Sequence, residues 1–247
     1  MTLLTANLEA VSSGTITLPR IGRGVMDLRL AIPRRDSRIK PLDRVELVFS
    51  SGETFQTTCL RAGPDGGFWR VLLVAGAGKM NEVEIKPKFY STIGLATPLA
   101  DAIRESGETS GKVEISDPTP LRNWVRPQTT LSRELRALML GFVSRPVRGN
   151  GPALNDSDYF YRIDAAGLVN VGLEVWPEGG KYEVLEDGAD TGLWTVPLSP
   201  GLEPGKTLTL ERDGQTVTVK VDRVEHIIGP HLRTRISVHQ PEVTTWT

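Results

Sequence analysis

Apolar and polar residues alternate along the last stretch of the chain. Residues 207–212, 216–222 and 232–238 alternate between two kinds of position, with most apolar side chains two residues apart, the period of a strand with one buried face. The pair Asp213-Gly214 between the first two runs suits a tight hairpin turn, because both residues tolerate positive φ. The pattern predicts a small antiparallel β module at residues 181–247.

A similar pattern opens the chain. Runs with strand-like alternation or β-rich composition occupy residues 14–18, 25–32, 44–49, 53–60 and 69–74. Glycine, serine and proline residues separate these runs, as expected of turns between strands. We therefore expect a first β module at residues 1–93 that resembles the terminal one, each closed as a small barrel.

The period changes in the middle of the chain, at residues 94–180. A short helix is predicted at 98–105, where Thr97 can cap and a proline is tolerated in the first turn. A second helix, preceded by Thr130 or Ser132 as a cap, is predicted by an apolar face with helical spacing: Leu131, Leu135, Leu138 and Phe142. Two further runs, 159–163 and 168–173, predict a β-hairpin.

The predicted fold class is therefore mainly β with an α+β insertion. Two small β-barrel-like domains, 1–93 and 181–247, flank a helical and β-hairpin middle domain at 94–180. With 247 residues the chain can bury a substantial core.

The composition limits the kinds of partner that we expect the chain to bind. The chain has 29 Lys and Arg against 30 Asp and Glu, so it lacks the global positive field that draws proteins to nucleic acid. We expect no specific nucleic-acid partner, since aromatic residues are also few for a stacking platform. The N-terminus has no basic segment, and no apolar run approaches the roughly 18 residues of a membrane span. We expect neither a signal peptide nor membrane insertion.

A local basic run is the exception to this balance. Arg34, Arg35, Arg38 and Lys40 lie close together, and Arg20 and Arg23 precede them. A solvated loop is the ordinary interpretation, and contact with an acidic partner surface is the functional one.

A glycine-rich segment, 74–80, imitates the end of a phosphate-binding P-loop. The first glycine of that motif would fall at Leu73, and Met80 stands where a magnesium-binding hydroxyl belongs. The residues that follow, 83–85, are strand-like, whereas a P-loop leads into a helix. The pattern favours a glycine-rich turn between strands.

Other candidates for chemistry are scattered. His226 (with Glu225 beside it), His231 and His239 lack ligand spacings familiar from metal sites. Glu105, Glu108, Asp156 and Asp158 could pair as general acid and base, but no spacing selects two of them. The single cysteine, Cys59, is expected to be a buried structural thiol. No serine occupies a Gly-x-Ser-x-Gly elbow. We therefore assign no catalytic, cofactor-binding or metal-binding residue, and we expect no enzyme activity.

The order of several segments resembles the tail-hub proteins of long-tailed phages, a group that includes late-control D proteins and the hub portion of type VI secretion spikes. The segments are GTITLPRIGRGVMDLRL at 14–30, GFWRVLLVAGAGKMNEVEIKPKFY at 67–90, NWVRPQTTLSRELRALMLGF at 123–142, YRIDAAGLVNVGLEVWP at 161–177 and VDRVEHIIGPHLRTRIS at 221–237. They cover much of the chain in the expected order. The chain departs from the family pattern at 143–157, where the family passes more directly from helix to hairpin.

The resemblance implies a structural function. In that family two barrel-like domains flank an insertion, and three copies form a pseudo-hexameric ring that adapts a six-fold tail tube to a three-fold spike or central fibre. The implied partners are further copies of the chain, a tail tube or distal tail protein, a spike or fibre protein, and a tape measure protein. The implied location is the tail tip or baseplate of a virion assembled in the bacterial host cytoplasm. Two alternatives remain open: an enzyme with a site assembled from loops, and a carbohydrate- or oligonucleotide-binding β-barrel module.

Overall fold

The computed structural model describes residues 3–32, 37–115, 121–143 and 159–239, with the backbone alone for residues 142 and 143. Strands dominate the first stretch: β1 (Leu4–Ala6), β2 (Glu9–Pro19), β3 (Ile21–Gly22), β4 (Val25–Leu30), β5 (Arg44–Phe49), β6 (Thr54–Asp65), β7 (Phe68–Ala75), β8 (Glu84–Ile85) and β9 (Lys88–Ile93). The middle contains α1 (Ala96–Ser106), β10 (Thr109–Glu114), β11 (Leu121–Arg126), β12 (Thr129–Thr130), α2 (Leu131–Val143), β13 (Tyr159–Ile163) and β14 (Leu168–Leu173). The last stretch forms β15 (Glu178–Glu183), β16 (Leu193–Pro197), β17 (Thr207–Arg212), β18 (Gln215–Ile228) and β19 (Arg233–Val238).

Six strands of the first stretch close into a barrel. Their order is β1-β5-β6-β7-β4-β2, and β1 pairs with β2 to complete the circle. The alternating sequence explains the closure, because every second side chain of β4 and β5 is buried while its neighbours are not. Gly14 lies where β2 passes β4 closely: a β-carbon there would lie 2.2 Å from the carbonyl oxygen of Asp27.

The barrel sheet continues into the last stretch of the chain through β18. This 14-residue strand pairs with β17 along its first half and with both β2 and β19 along its second half. Strands from both ends of the chain therefore share one 11-stranded sheet. The sequence pattern predicts most of these strands but neither β1 nor this junction, and the terminal strands extend the sheet instead of forming a separate one.

The chain divides into two compact units. Unit 1 contains residues 1–20, 24–74 and 175–247, and unit 2 contains residues 21–23 and 75–174. In unit 2 a four-stranded sheet of order β10-β14-β13-β3 accompanies both helices and two short ribbons, β9–β11 and β8–β12. Leu131, Leu135 and Leu138 are buried on α2, as the helical spacing predicts. In the described part of the chain, neither helix is long and apolar enough to span a bilayer.

The predicted fold class, mainly β with helices confined to the middle, is confirmed. The expected cap of α1 at Thr97 is wrong: the helix begins at Ala96, and its N-cap, Leu95, makes no side-chain capping bond. The departure noted at 143–157 falls almost wholly outside the described residues.

Candidate functional site

The glycine-rich loop after β7 holds an anion that the chain itself supplies. The backbone N–H groups of Ala77, Lys79 and Met80 donate hydrogen bonds of 2.8, 2.6 and 3.0 Å to the carboxylate of Glu108. Successive N–H groups that converge in this way form an anion-binding concavity. The position that a phosphate would take in a P-loop is here filled by a buried glutamate.

The backbone explains why this loop is rich in glycine. Gly76 and Gly78 have φ of 75° and 72°, in the left-handed region that glycine adopts without a steric penalty. A β-carbon on Gly76 would lie 2.8 Å from Oε2 of Glu108, so only glycine leaves room for the carboxylate. Gly107, with φ of 80°, ends α1 and places Glu108 directly after the helix.

The loop therefore has a structural role within unit 2. It leads into β8, whereas a P-loop requires a helix at this point. Sequence reasoning named Glu108 only as one of four scattered carboxylates. A glycine-rich turn of this kind can indicate that its N–H groups bind an anion. The sequence alone does not show which acidic side chain supplies that anion.

The three histidines have separate environments. His226 is fully buried on β18, where its Nδ1 lies 3.0 Å from Oγ1 of Thr234 and its ring meets Phe49 edge-on at 6.4 Å. Burial lowers the pKa of His226 to about 4. His239 stacks on Trp176 with ring centres 5.1 Å apart, and His231 is exposed. Within the described ranges, no group of three or more His, Cys, Asp or Glu residues is placed to hold a metal ion.

Cys59 is buried and free, as predicted. Burial raises the pKa of its thiol to about 11, with a further contribution from the negative charge of Asp43. A thiol with such a pKa remains protonated near neutral pH and is a poor nucleophile.

A network of buried charge in unit 2 was not predicted from the sequence. Arg126, at the end of β11, is fully buried and forms an ion pair with Glu105 of α1. Its Nε donates to the carbonyl of Lys86 at 2.9 Å, and Nη1 donates to the hydroxyl of Tyr90 at 3.3 Å. Lys88 bridges Asp101 at 2.5 Å. The carboxylates of α1 thus pair with cations of the β9–β11 ribbon, which fixes the helix on it.

The remaining sequence candidates are dispersed. Arg20 pairs with Asp222 in unit 1, and Arg23 pairs with Glu82 in unit 2. Arg38 and Lys40 are exposed. Arg34, Arg35, Asp156 and Asp158 lie outside the described residues.

Unit 1 and unit 2 also expose strand edges and apolar side chains. Within the described residues, β15 pairs with β17 alone and leaves its other edge open over Glu178–Glu183, while Leu185 and Glu186 just beyond it bond to Thr195 of β16. Exposed large apolar residues occur near this edge, at two turns of the barrel, and on the β9–β11 ribbon, where Phe89 and Val125 face each other across the strands. Unpaired edges and apolar surface are features that proteins usually cover through association.

Comparison with known proteins gives matches at the level of structure. No protein-family model matches the chain, and no curated protein matches it in sequence. A 43 kDa tail protein of prophage MuSo2 from Shewanella oneidensis is similar, with a TM-score of 0.70 and 9% identity over 98% of this chain and 97% of that one. A tail protein from Neisseria meningitidis MC58 has a TM-score of 0.66 and 10% identity over 96% of this chain and 95% of that one.

A third similar structure comes from a secretion system. The E. coli c3393 protein, described as a component of the type VI secretion system with structural similarity to the T4 phage tail proteins gp27 and gp5, has a TM-score of 0.60 and 9% identity. The match covers 98% of this chain and 80% of that one. Over nearly its whole length, the chain therefore has the fold of these tail and secretion proteins.

Proposed function

We propose that the chain is a structural hub protein at the tail tip or baseplate of a phage, or at the equivalent position of a related injection device. The observation that carries the proposal is the match over 96–98% of the chain to two tail proteins and a type VI secretion component. A match of this extent concerns the arrangement of the whole chain, including the middle region, and not a single common β motif.

In this proposal three copies form a ring. Each copy contributes two β elements, residues 1–93 and 181–247, with residues 94–180 as an inserted middle domain. Six β elements then face a six-fold tail tube or distal tail protein, while the three-fold symmetry meets a spike or central fibre. A tape measure protein is a further partner. The open edge of β15 at residues 178–183 supports the ring, because a neighbouring subunit would cover such an edge.

The role is mechanical and needs no catalytic residue, cofactor or metal. The chain is assembled in the cytoplasm of the bacterial host and stays in the finished virion. The occupied glycine-rich loop supports this assignment, since its N–H groups already bind Glu108.

Electron microscopy of labelled particles tests the proposal. Antibodies against the chain, carried on gold, are expected to mark the end of the tail opposite the capsid. Particles from a strain that lacks the gene, complemented or not with the intact chain, provide the control. Label on the capsid, or normal complete tails in the deletion strain, would contradict the proposed role.

A further inference from the structure

Two leucines of the barrel lie almost wholly in solvent. Leu8, in the turn between β1 and β2, is 92% exposed, and Leu42, in the turn before β5, is 81% exposed. Among the large apolar residues that the structure describes, Val175 alone is as exposed as Leu42. Neither leucine adds to the core, so folding of the barrel does not explain their presence.

Both leucines also have a backbone conformation that disfavours them. Their φ angles are 72° at Leu8 and 74° at Leu42, in the left-handed region where a β-carbon meets the following carbonyl oxygen. Leu8 follows Asn7, also at positive φ, in a two-residue hairpin whose second position usually holds glycine. Leu42 follows Pro41 at the position of a turn where glycine or asparagine is usual. Glycine would relieve the strain at both positions.

The two turns lie at the same end of the barrel. The backbone N–H of Asn7 donates to the carbonyl of Glu46 at 3.0 Å, and its side-chain amide donates to the carbonyl of Arg44, also at 3.0 Å. These bonds hold the Leu8 turn against the first residues of β5, and Leu42 is two residues before that strand. Two strained, exposed leucines side by side indicate a surface retained for contact, since strain that folding does not need is common at functional sites.

Two exposed cations lie beside the leucines in the chain and in the turn contacts. Arg38 and Lys40 are exposed, and neither side chain forms an ion pair with another described residue. The neighbouring acids keep their negative charge but turn a carboxylate oxygen toward the backbone: Glu9 accepts the N–H of Arg38 at 3.0 Å, and Asp43 accepts that of Lys40 at 2.8 Å. We call Leu8, Leu42, Arg38 and Lys40 the leucine tip. It presents apolar contacts between positive charges.

One segment of the same unit is rich in acids. Residues 175–214 include eight acids and three bases. Val175, Leu185 and Leu193 are exposed here, and the N–H of Leu185 donates to the carbonyl of Thr195 at 2.8 Å, which joins the end of the β15 segment to β16. Glu183 and Asp190 form no ion pair with another described residue. We call Val175, Glu183, Leu185, Asp190 and Leu193 the acidic edge.

We propose that the leucine tip of one copy binds the acidic edge of a second copy. The inference rests on the proposed ring and identifies the surfaces through which its subunits meet. Apolar side chains face apolar side chains, and Arg38 and Lys40 of the tip are opposite in charge to Glu183 and Asp190 of the edge, which fixes orientation. Because each copy carries one tip and one edge, the contact is heterologous and can repeat around a closed ring.

Glycine substitutions separate this role from a structural one. The double variant Leu8→Gly, Leu42→Gly is expected to unfold at the same or a higher temperature than the parent, since strain is relieved. Its self-association, measured by sedimentation velocity over a concentration series, is expected to weaken at least about tenfold, because two apolar anchors are lost. Thr92→Gly is the matched control: Thr92 is exposed on β9 at a φ of 52°, so glycine relieves similar strain there without removing a leucine.

Charge reversal tests the identity of the partner. Arg38→Glu with Lys40→Glu is expected to weaken association, and so is Glu183→Lys with Asp190→Lys. A chain that carries all four changes is expected to associate again, because each reversed tip then meets a reversed edge. Failure of the fourfold variant to recover, while both pairs weaken association, would overturn the second copy as the occupant. Flotation with phosphatidylserine vesicles that depends on Leu8 and Leu42, without any effect on association, would assign the tip to a membrane and also overturn the proposal.

The outcomes distinguish this contact from the ring itself. A trimer whose association is unaffected by the leucine and charge variants would overturn the contact and leave the ring in place. A chain that remains monomeric at about 1 mM would overturn the contact, since the weakest specific complexes associate in that range. The position of the chain in the particle tests the tail role independently of either result.

Discussion

Glu108 accepts the backbone N–H of Lys79 at 2.6 Å, and this bond closes a loop that resembles a phosphate-binding turn. The lysine that a P-loop would direct to a phosphate is instead next to Gly107, where an added β-carbon would lie 2.8 Å from its Nζ. The resemblance of the loop to a nucleotide site thus has a physical basis, since both are nests of N–H groups around an anion. The difference is that here the anion is covalently part of the chain.

Removal of this carboxylate is expected to destabilise unit 2. Glu108→Ala leaves three N–H groups without their acceptor and should lower the free energy of unfolding by about 3 kcal/mol. Glu108→Gln retains one acceptor oxygen and should cost about half as much. Urea denaturation measures both changes. The control is Glu114→Ala, because Glu114 is largely exposed and its change is expected to stay within about 0.5 kcal/mol. Equal effects of Glu108→Ala and Glu114→Ala would contradict the assigned role.

His226 is expected to make the fold sensitive to acid. In the unfolded chain its pKa takes the ordinary value of 6.5, whereas in the folded chain the pKa is about 4. Between these values the unfolded chain binds a proton that the folded chain does not, so stability falls as the pH drops from 6.5 to 4, by about 3 kcal/mol in all. The negative charge of Glu53 opposes the shift only in part.

Urea denaturation at pH 7.5 and pH 4.5 measures this effect. The loss of stability between the two pH values is expected to be smaller in His226→Phe by about 2 kcal/mol. Thr234 keeps one partner in this variant, since its hydroxyl also accepts the N–H of Ser199 at 2.9 Å. The exposed His231→Gln should behave as the parent. A pH dependence that is the same in His226→Phe and the parent would show that another group is responsible.

Gly14 is expected to tolerate no side chain. It has a φ of 149°, and a β-carbon there would lie 2.2 Å from the backbone oxygen of Asp27. Gly14→Ala must displace β4 from β2 and should cost about 3 kcal/mol or more. Gly63→Ala, on β6, has no atom within 4 Å of the added carbon and should change stability by about 0.5 kcal/mol at most. Similar melting temperatures for the two variants would show that the close approach is not rigid.

Arg126 is expected to stabilise unit 2 through several contacts at once. Arg126→Ala should cost about 3 kcal/mol, because it removes the partner of Glu105 and the donors to Tyr90 and Lys86. Arg126→Lys should recover only part of the loss, since one ammonium group cannot replace the planar guanidinium. Arg122→Ala, an exposed neighbour on β11, is the control and should change little. Chemical denaturation that finds full recovery in Arg126→Lys would reduce the role of Arg126 to its charge.

The local pattern predicts α2 and many of the longer strands, but it misses β1, β3, β9, β10, β11 and β12. The alternation at 207–212 coincides with β17, and the run at 44–49 coincides with β5. The spacing of leucines places α2 correctly, because both periodicities reflect which side chains a single element can bury. Helix ends are less predictable, as the cap of α1 shows, because hydrogen bonds of the backbone alone can begin a helix.

Contacts between distant segments are what the pattern cannot predict. Gly14 pairs with Ile228 where β2 meets β18. The sequence of each strand predicts its alternating faces but not which strand it pairs with. Glu108 meets a loop that is 28 to 31 residues earlier in the chain. The burial of Arg126 depends on three partners from separate segments. Each of these contacts depends on how close two distant segments lie in the folded chain, and the hydropathy pattern does not contain that information.

Cryo-electron microscopy of the intact particle tests the central claim most directly. We expect three copies of this chain in a closed ring between the tail tube and the spike or central fibre, with the leucine tip of each copy against the acidic edge of the next. Six copies of the chain, or a position on the capsid, would contradict it.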